Sequence, residues 1–250
     1  MSEIDQLIAQ FQPISLGEMD GVKLQDRVDT KYVLGMHQLP EVFRRMLDDY
    51  RLLEVNGVRG TNYRSLYFDT ADLKHFNDHH NRRVFRSKVR FREYLGSDQV
   101  YLEVKRKNGR GRTDKKRMRV DAIPQMLSPD QAAFITRSGG GSGQMVATIW
   151  NHFTRYTFVN KHRPERLTMD ISLTFSDPSD RKLLENVVVA ELKQERMDRT
   201  STFVQIMRSM GLRPCSMSKY CIGMLAIGRP VKHNGFKEVL LKLQRLRQAA

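Results

Sequence analysis

Hydrophobic and polar residues alternate along several segments of the chain, and this period of two predicts β-strands. The clearest case is RLTMDISLTF at 166–175, where one face is predicted to carry Leu167, Met169, Ile171, Leu173 and Phe175. Short connections between many of these segments indicate antiparallel pairing. The predicted strands are 27–34, 51–55, 62–70, 86–94, 99–107, 115–120, 154–160, 166–175 and 186–195.

Apolar residues recur at spacings of three and four in other segments, which predicts amphipathic helices. Ser128 followed by Pro129 is typical of a helix start. The predicted helices are 3–19, 39–50, 127–137, 199–210 and 217–227, and 236–248 is a basic helix or a partly disordered tail. GGGSG at 139–143 resembles a flexible linker and carries no functional argument.

This order of elements predicts an α+β fold, in which an antiparallel sheet closes or nearly closes into a barrel with flanking helices. We expect one tunnel domain over residues 1–228 and a basic C-terminal helix or tail over 229–250. With two cysteines, no run of about 18 apolar residues and no secretory leader, the chain is expected to be cytoplasmic, with no transmembrane segment.

The chain is strongly basic, with 43 Lys and Arg against 28 Asp and Glu, a net charge of +15 and a pI near 10.0. Such an excess favours a polyanionic partner, which could be nucleic acid, an anionic membrane or a phosphate-rich small molecule. The placement of the charge distinguishes among these partners better than its amount does.

Cations gather on one face of the predicted strands. In SKVRFREYL, Lys88, Arg90 and Arg92 alternate with Val89 and Phe91. An ordinary sheet with one solvated face would also alternate, but here the pattern recurs in six further strands. The aligned residues are Arg27, Asp29 and Lys31; Tyr101, Glu103, Lys105 and Lys107; Lys115, Arg117 and Arg119; Arg155 and Thr157; Arg166, Thr168, Asp170, Ser172 and Thr174; and Glu191 and Lys193.

If helices cover the apolar faces, the charged faces line the inside of the barrel. Like charges at such density repel one another unless an anion neutralises them. Arginine matches phosphate oxygens through its planar fork, and lysine acts as a point charge. The pattern therefore predicts a tunnel for a highly charged phosphate compound.

A nucleic-acid-binding module is an alternative from a different class, because 105–119 is rich in Lys and Arg. Aromatic residues interleaved with the cations would favour it. Phe91, Tyr156 and Phe158 instead lie opposite the cations. We therefore expect no specific nucleic-acid partner.

The ordered set of segments resembles the VTC domain, the polyphosphate polymerase branch of the triphosphate tunnel (CYTH-like) superfamily, over roughly residues 24 to 226. The matching segments are RVDTKYVL (27–34), YRSLYFDT (63–70), KVRFREY (88–94), YLEVKRK (101–107), KKR (115–117), RYTFVNKHRPERLTMD (155–170), AELK (190–193) and SKYCIGM (218–224).

The resemblance implies an eight-stranded antiparallel tunnel with helices outside. It also implies transfer of the γ-phosphate of ATP onto inorganic polyphosphate, assisted by Mn²⁺ or Mg²⁺. Glu191 would hold the metal, and Arg90, Arg92, Lys105 and Lys219 would be catalytic. The implied phosphate-binding residues are Lys31, Arg90, Arg92, Lys105, Lys115, Arg155, Arg166 and Lys219, with Lys116 in place of Lys115 if the alignment shifts by one; the face pattern adds Lys88, Arg117 and Lys193.

One departure separates branches of the superfamily. Triphosphate hydrolases and cyclases of this superfamily carry ExExK on the first strand, whereas this chain has Arg27, Asp29 and Lys31 at the corresponding positions. Fewer carboxylates favour a mainly cationic cradle, and hence the polymerase. The alternatives are a triphosphate or polyphosphate hydrolase of the same fold and a non-catalytic module that binds polyphosphate or inositol polyphosphates.

Two further expectations concern access to the site. A polymerase tunnel open at both ends would admit nucleotide at one end and release polymer at the other. The basic tail could also make a peripheral contact with anionic lipid through Lys237, Lys242, Arg245 and Arg247.

Overall fold

The computed structural model describes residues 2–20, 27–109 and 113–248. The strands are β1 (Gln12–Ile14), β2 (Val28–Gly35), β3 (Tyr50–Leu53), β4 (Thr61–Thr70), β5 (Arg86–Tyr94), β6 (Gln99–Lys107), β7 (Thr113–Val120), β8 (Met145–Asn160), β9 (Glu165–Ser176), β10 (Arg181–Leu183) and β11 (Val187–Gln194). The helices are α1 (Glu3–Gln10), α2 (Leu16–Asp20), α3 (Leu39–Met46), α4 (Lys74–His80), α5 (Pro129–Arg137), α6 (Thr202–Ser209), α7 (Lys219–Ala226) and α8 (Lys237–Gln248).

Eight strands form an antiparallel sheet in the order β2-β11-β9-β8-β4-β5-β6-β7, with β1, β3 and β10 paired at its margins. The sheet curls strongly. The pKa of Lys105 in β6 is lowered first by burial, and it also responds to the charges of Glu191 in β11 and Lys31 in β2, strands that are distant in this order. The expected α+β tunnel architecture with flanking helices is confirmed.

The barrel is open along one seam. β2 and β7 end the strand order, and no backbone pairing joins them within residues 27–109 and 113–248. Most residues of β7 are exposed. Its lysines and arginines discourage pairing with another chain, as is usual for a free sheet edge.

The outer, convex face of the sheet is apolar and covered by helices. One cluster packs α1, α3 and α6 on the half formed by β2, β11, β9 and β8, with Phe11, Phe43 and Phe158 in mutual ring contact. A second cluster packs α5 on β4, β5 and β6, around Phe91 and Leu102. These helices leave the opposite face of each strand for the inside of the barrel.

A β-bulge in β9 changes which residues face inward. Ser172 has a φ of 54°, and the register between β8 and β9 shifts at this point. A bulge inserts one residue and reverses the side-chain alternation beyond it. The prediction that Leu173 and Phe175 share the outer face with Leu167 and Met169 is therefore wrong, because Leu173 and Phe175 pack inside the barrel.

The N-terminal segment departs from the single predicted helix over 3–19. Pro13 lacks a backbone N–H and cannot continue a helix. The chain therefore ends α1 at Gln10 and forms the short strand β1, which pairs in parallel with β3, before α2 begins at Leu16. β8 is longer than predicted because 145–153 pairs with β4, while α4 and β10 were not predicted.

Helix α7 lies against the inner face of the sheet at one end of the barrel. Tyr220, Cys221 and Met224 are buried in one cluster with inward-facing apolar residues of five strands. The strand residues of this apolar zone include Val33, Tyr67, Ile149, Leu173, Phe175, Val187 and Val189. The expectation of a tunnel open at both ends is wrong, since α7 and these side chains fill one end.

Helix α8 packs against the same end of the barrel, with Val239 and Leu243 buried in the apolar zone and contacts to β2 and β11. Residues 237–248 thus form an ordered helix. No helix in the described part of the chain is long and apolar enough to cross a bilayer.

Candidate active site

The inner face of the barrel changes from apolar to charged along each strand. In β2, Val33 lies in the apolar zone and Lys31 is charged; in β11 the same change occurs between Val189 and Glu191. The charged zone consists of Lys31, Lys88, Arg90, Arg92, Glu103, Lys105, Lys115, Arg117, Arg155, Arg166, Asp170, Glu191, Lys193 and Lys219. It adjoins the start of α7, from which Lys219 and the N-cap residue Ser218 contact it, and it extends to the seam strands β2 and β7.

Glu103 is the centre of one ion-pair group in this zone. Arg90 donates from Nε and Nη2 to Glu103 Oε2 at 2.8 and 2.7 Å, and Lys115 pairs with Oε1. Burial would raise the pKa of Glu103, but Arg90, Arg92 and Lys115 together hold it well below its usual range. Glu103 therefore stays ionised and partly neutralises the surrounding cations.

Asp170 is the centre of a second group. Arg155 binds it through two bonds, Nε to Oδ1 at 2.6 Å and Nη2 to Oδ2 at 2.7 Å, and Lys219 pairs with Oδ2. Burial opposes ionisation of Asp170, but Arg155 and Lys219 hold its pKa far below normal. Lys219 reaches this site because it is the first residue of α7.

Glu191 is the centre of the third group. Lys31 Nζ lies 2.5 Å from Oε2, and Lys193 pairs with Oε1. Lys31 and Glu191 are direct partners between β2 and β11, so the sheet register itself brings them together. The two ammonium groups keep the pKa of Glu191 low although burial would raise it.

Cations outnumber carboxylates in the charged zone. Arg92 is 7% exposed, its Nε is 4.0 Å from Glu103 Oε2, and this Nε has no hydrogen-bond partner among the described residues. Burial and the neighbouring Arg90 lower the pKa of Arg92. A buried donor without a partner is costly, so this position suits an incoming anion.

Four lysines of the zone have pKa values of about 8 instead of the usual 10.5. Burial is the main cause for Lys88, Lys115, Lys193 and Lys219, and nearby cations add to it. Lys88 has a neutral partner, donating to Ser218 Oγ at 2.8 Å. These ammonium groups would gain from a polyanion, which compensates for lost hydration.

A row of aromatic rings crosses the same inner face. Phe153 and Tyr63 stack at 5.2 Å, Tyr63 lies 4.9 Å from Tyr94, and Tyr94 lies 6.1 Å from Tyr101. We call these four residues the aromatic ladder. It runs from beside Asp170 towards the open end of the barrel.

Three cations of the charged zone lie over rings of the aromatic ladder. Arg155 lies 5.3 Å from the centroids of both Tyr63 and Phe153, and Arg92 lies 5.2 Å from that of Tyr63. Lys219 Nζ is 4.5 Å from the ring centroid of Phe153. Cation–π attraction at these distances fixes the cations.

Most of the predicted site residues share this inner face. Lys116 does not, because it is paired in register with Val104, whose side chain lies in the outer cluster under α5, while its neighbour Lys115 reaches Glu103. Strict alternation along β7 separates the two lysines. The predicted site residues that lie on the inner face are Lys31, Lys88, Arg90, Arg92, Lys105, Lys115, Arg117, Arg155, Arg166, Lys193, Lys219 and Glu191.

Sequence reasoning missed the roles of several inner-face residues. Glu103 and Asp170 were aligned with the cations, yet nothing assigned them as the partners that hold those cations. The aromatic ladder was also missed, although Phe91, Tyr156 and Phe158 do lie on the outer side. Applying the period of two to YRSLYFDT at 63–70 would have placed Tyr63 inside, across from Tyr94.

The described residues form no ready-made metal cage, since no group of three or more His, Cys, Asp or Glu residues is placed to hold an ion. Glu191 supplies one carboxylate, now occupied by Lys31 and Lys193. Mg²⁺ at phosphate-transfer sites often takes one or two carboxylates together with substrate phosphate oxygens. Glu191 fits that limited role.

A curled antiparallel sheet around a basic bore defines the CYTH-like triphosphate tunnel class. A crystal structure of a candidate adenylate cyclase from Bacillus halodurans has this fold, with a TM-score of 0.50 and 12% identity, covering 77% of this chain and 94% of that chain. Residues 26–227 match the family model of the VTC domain, and the chain belongs to this family. The resemblance seen in the sequence is therefore confirmed.

Another similar structure is that of a candidate adenylyl cyclase from Hippeastrum, described as having a dominant triphosphatase activity. It has a TM-score of 0.48 and 16% identity, and covers 83% of this chain and 100% of that chain. No curated protein sequence matches the chain.

Proposed function

We propose that this domain is a polyphosphate polymerase that transfers the γ-phosphate of ATP onto a growing inorganic polyphosphate chain. Membership of the VTC domain family supports the substrate class. The observation that carries the proposal is Arg92, a buried guanidinium whose Nε has no hydrogen-bond partner among the described residues, set among further cations. A phosphate oxygen would satisfy this donor and offset the excess charge.

Arg90, Arg92, Lys105 and Lys219 would contact the reacting phosphates, and the remaining cations would hold the donor and the acceptor chain. On binding, phosphate oxygens would take over cations now paired with Glu103, Asp170 and Glu191. The residues in the holding role are Lys31, Lys88, Lys115, Arg155, Arg166 and Lys193.

The chemistry needs positioning and charge neutralisation more than covalent help from the protein. A terminal oxygen of the acceptor chain forms a bond to the γ-phosphorus while the bond from that phosphorus to the β–γ bridging oxygen breaks. The bridging oxygen leaves with the electron pair as part of ADP. Because the attacking oxygen is already anionic, no general base is required.

Glu191 would hold a divalent cation, Mn²⁺ or Mg²⁺, together with the phosphate oxygens. When bound, this ion would supply neutralisation of charge on the leaving group. Lys31 and Lys193 would then turn from Glu191 to the phosphates. Both cysteines are free, which accords with the cytoplasmic location included in the proposal.

A triphosphate hydrolase is the second candidate, and one observation favours it. Because α7 and the apolar zone fill one end of the bore, a short triphosphate fits the site more simply than a chain threaded from end to end. Water would then replace the polyphosphate acceptor, and orthophosphate would be the product.

The deciding experiment incubates purified protein with ATP and Mn²⁺, resolves polymer on a gel and measures ADP and orthophosphate. Long polyphosphate with stoichiometric ADP supports the polymerase, whereas ADP and orthophosphate without polymer support the hydrolase. Arg90→Ala and Arg92→Ala should abolish synthesis in folded protein. Lys115→Ala should lower it strongly, whereas Lys116→Ala, on the opposite face of the same strand, should not; unchanged activity in both arginine variants would refute the site.

A further inference from the structure

The outer end of the aromatic ladder is half-buried and carries an exposed guanidinium. Tyr94 and Tyr101 are both intermediate in exposure, and Arg117 is exposed. The guanidinium carbon of Arg117 lies 4.7 Å from the centroid of the Tyr101 ring. A tyrosine with a planar cation over it therefore stands beside the charged zone.

This pair is directly adjacent to the buried anion-binding cations. Tyr101 is the register partner of Arg92 between β5 and β6. Direct cross-strand partners have Cβ atoms about 4.5–5.5 Å apart. A nucleotide whose phosphates bind Arg92 can therefore place its base against Tyr101 and Arg117.

Both groups have the chemistry to bind a nucleobase. Bases stack on tyrosine rings and on arginine guanidinium planes, and this stacking tolerates different bases. Phosphate groups have no such face. Arg117 forms no ion pair within the described ranges, so its plane is not oriented by a carboxylate.

We propose that Tyr101 and Arg117, supported by Tyr94, bind the base of the nucleoside triphosphate by stacking. The inference rests on the proposed function and adds a subsite that inorganic polyphosphate cannot use. The subsite fixes the orientation of the bound nucleotide, with the base at the open end of the barrel and the phosphates towards its interior. It also distinguishes the phosphate donor from the acceptor, while discriminating little between ATP and GTP.

The test compares the binding of ATP and tripolyphosphate by calorimetry, without divalent ions so that no turnover occurs. Tyr101→Leu should weaken ATP binding by about 10-fold, the loss of one base–ring stack, and change tripolyphosphate binding less than about 2-fold. Tyr101→Phe keeps the ring and should bind both ligands as the parent does. Arg117→Lys keeps the charge and should weaken ATP binding several-fold more than tripolyphosphate binding.

Arg106→Lys is the matched control, because Arg106 is exposed on β6 and lies on the opposite face of that strand from Tyr101. It should not alter the ratio of the two affinities. Equal losses for both ligands in Tyr101→Leu and Arg117→Lys, or no loss for either ligand, would overturn the stacking subsite while leaving the phosphate site intact. If the parent protein binds neither ligand, the proposed function fails first and the subsite fails with it.

Discussion

Arg155 and Asp170 face each other across β8 and β9 and form two parallel bonds, of 2.6 and 2.7 Å, on the inside of the barrel. Lys219, from α7, shares the same carboxylate. One buried acid thus holds an arginine from the sheet and a lysine from the helix that fills the end of the bore. It therefore links the integrity of the fold to the proposed anion site.

Asp170→Asn should destabilise the protein and make its stability depend on an anion. Losing the carboxylate leaves Arg155 and Lys219 without a counter-charge, and breaking a buried pair costs about 3–5 kcal/mol. Tripolyphosphate should restore much of this loss. Urea unfolding with and without tripolyphosphate measures both effects.

The matched control is Asp198→Asn, which removes an exposed carboxylate from its pair with Arg163. It should alter stability little, with no extra response to tripolyphosphate. If tripolyphosphate raises the free energy of unfolding of Asp170→Asn no more than that of the parent, Arg155 and Lys219 do not belong to the anion site.

Tyr63 should position the phosphate-binding cations through its ring. Arg92 and Arg155 both rest on this ring, and a desolvated cation–π contact is worth about 2 kcal/mol. Tyr63→Leu should therefore weaken tripolyphosphate binding by about 10-fold or more, while Tyr63→Phe should bind normally. Calorimetric titration measures this, and equal affinities for the Leu and Phe variants would contradict the positioning role.

Anion affinity should fall as the pH rises above about 8. Lys88, Lys115, Lys193 and Lys219 have pKa values of about 8 in the free protein, and a bound polyanion would raise them by favouring the ammonium form. Well below pH 8 all four are charged in both states, so affinity is flat; above pH 8, binding must take up protons. Titrations between pH 7 and about pH 10 with tripolyphosphate measure the slope.

Lys88→Arg is the comparison for this pH dependence, because arginine remains protonated over the whole range. Its affinity should decline less steeply than that of the parent, since one titrating group is gone. An affinity that stays constant through pH 8 in the parent would show that these lysines do not bind the anion.

Gly223→Ala should loosen α7. A Cβ at Gly223 would clash with Phe175 Cδ1, and would lie 2.8 Å from Phe175 Cε1 and 3.0 Å from Ile149 Cδ1. Overpacking of this kind typically costs about 1–3 kcal/mol. The melting temperature should fall, and tripolyphosphate affinity should fall with it because Lys219 begins α7.

Gly17→Ala is the control for Gly223→Ala, because Gly17 is also helical and has nothing within 4 Å of an added Cβ. Alanine there should be neutral or slightly stabilising. A Gly223→Ala protein as stable as the Gly17→Ala protein would mean that α7 is not packed tightly against the sheet.

Alternation in the sequence placed most charged strand residues correctly, because a period of two is a local property of the chain. Arg90, Arg92 and Lys105 follow directly from it. The rule failed beyond Ser172, where one inserted residue turned Leu173 and Phe175 inward. Whether a serine will adopt a positive φ depends on the neighbouring strands, and so the bulge could not be read from the segment itself.

The position of α7 was likewise beyond the sequence pattern. KYCIGMLA is apolar on nearly all sides, and such a helix is expected to be buried. Nothing in its own residues says that it is buried inside the barrel and not outside. The pairing of Lys219 with Asp170 depends on that choice, so the ion-pair groups became visible only with the fold.

For the proposed polymerase, the seam between β2 and β7 bears on how a long product would leave. Because α7 and the apolar zone fill one end of the barrel, a lengthening chain would have to leave through the same end by which the next nucleotide enters. For the proposed polymerase, the unpaired seam beside Lys115 and Arg117 would give the chain a lateral exit while its reacting end stays in place. The depth of the bore would then set no upper limit on how many phosphates one molecule of product could contain.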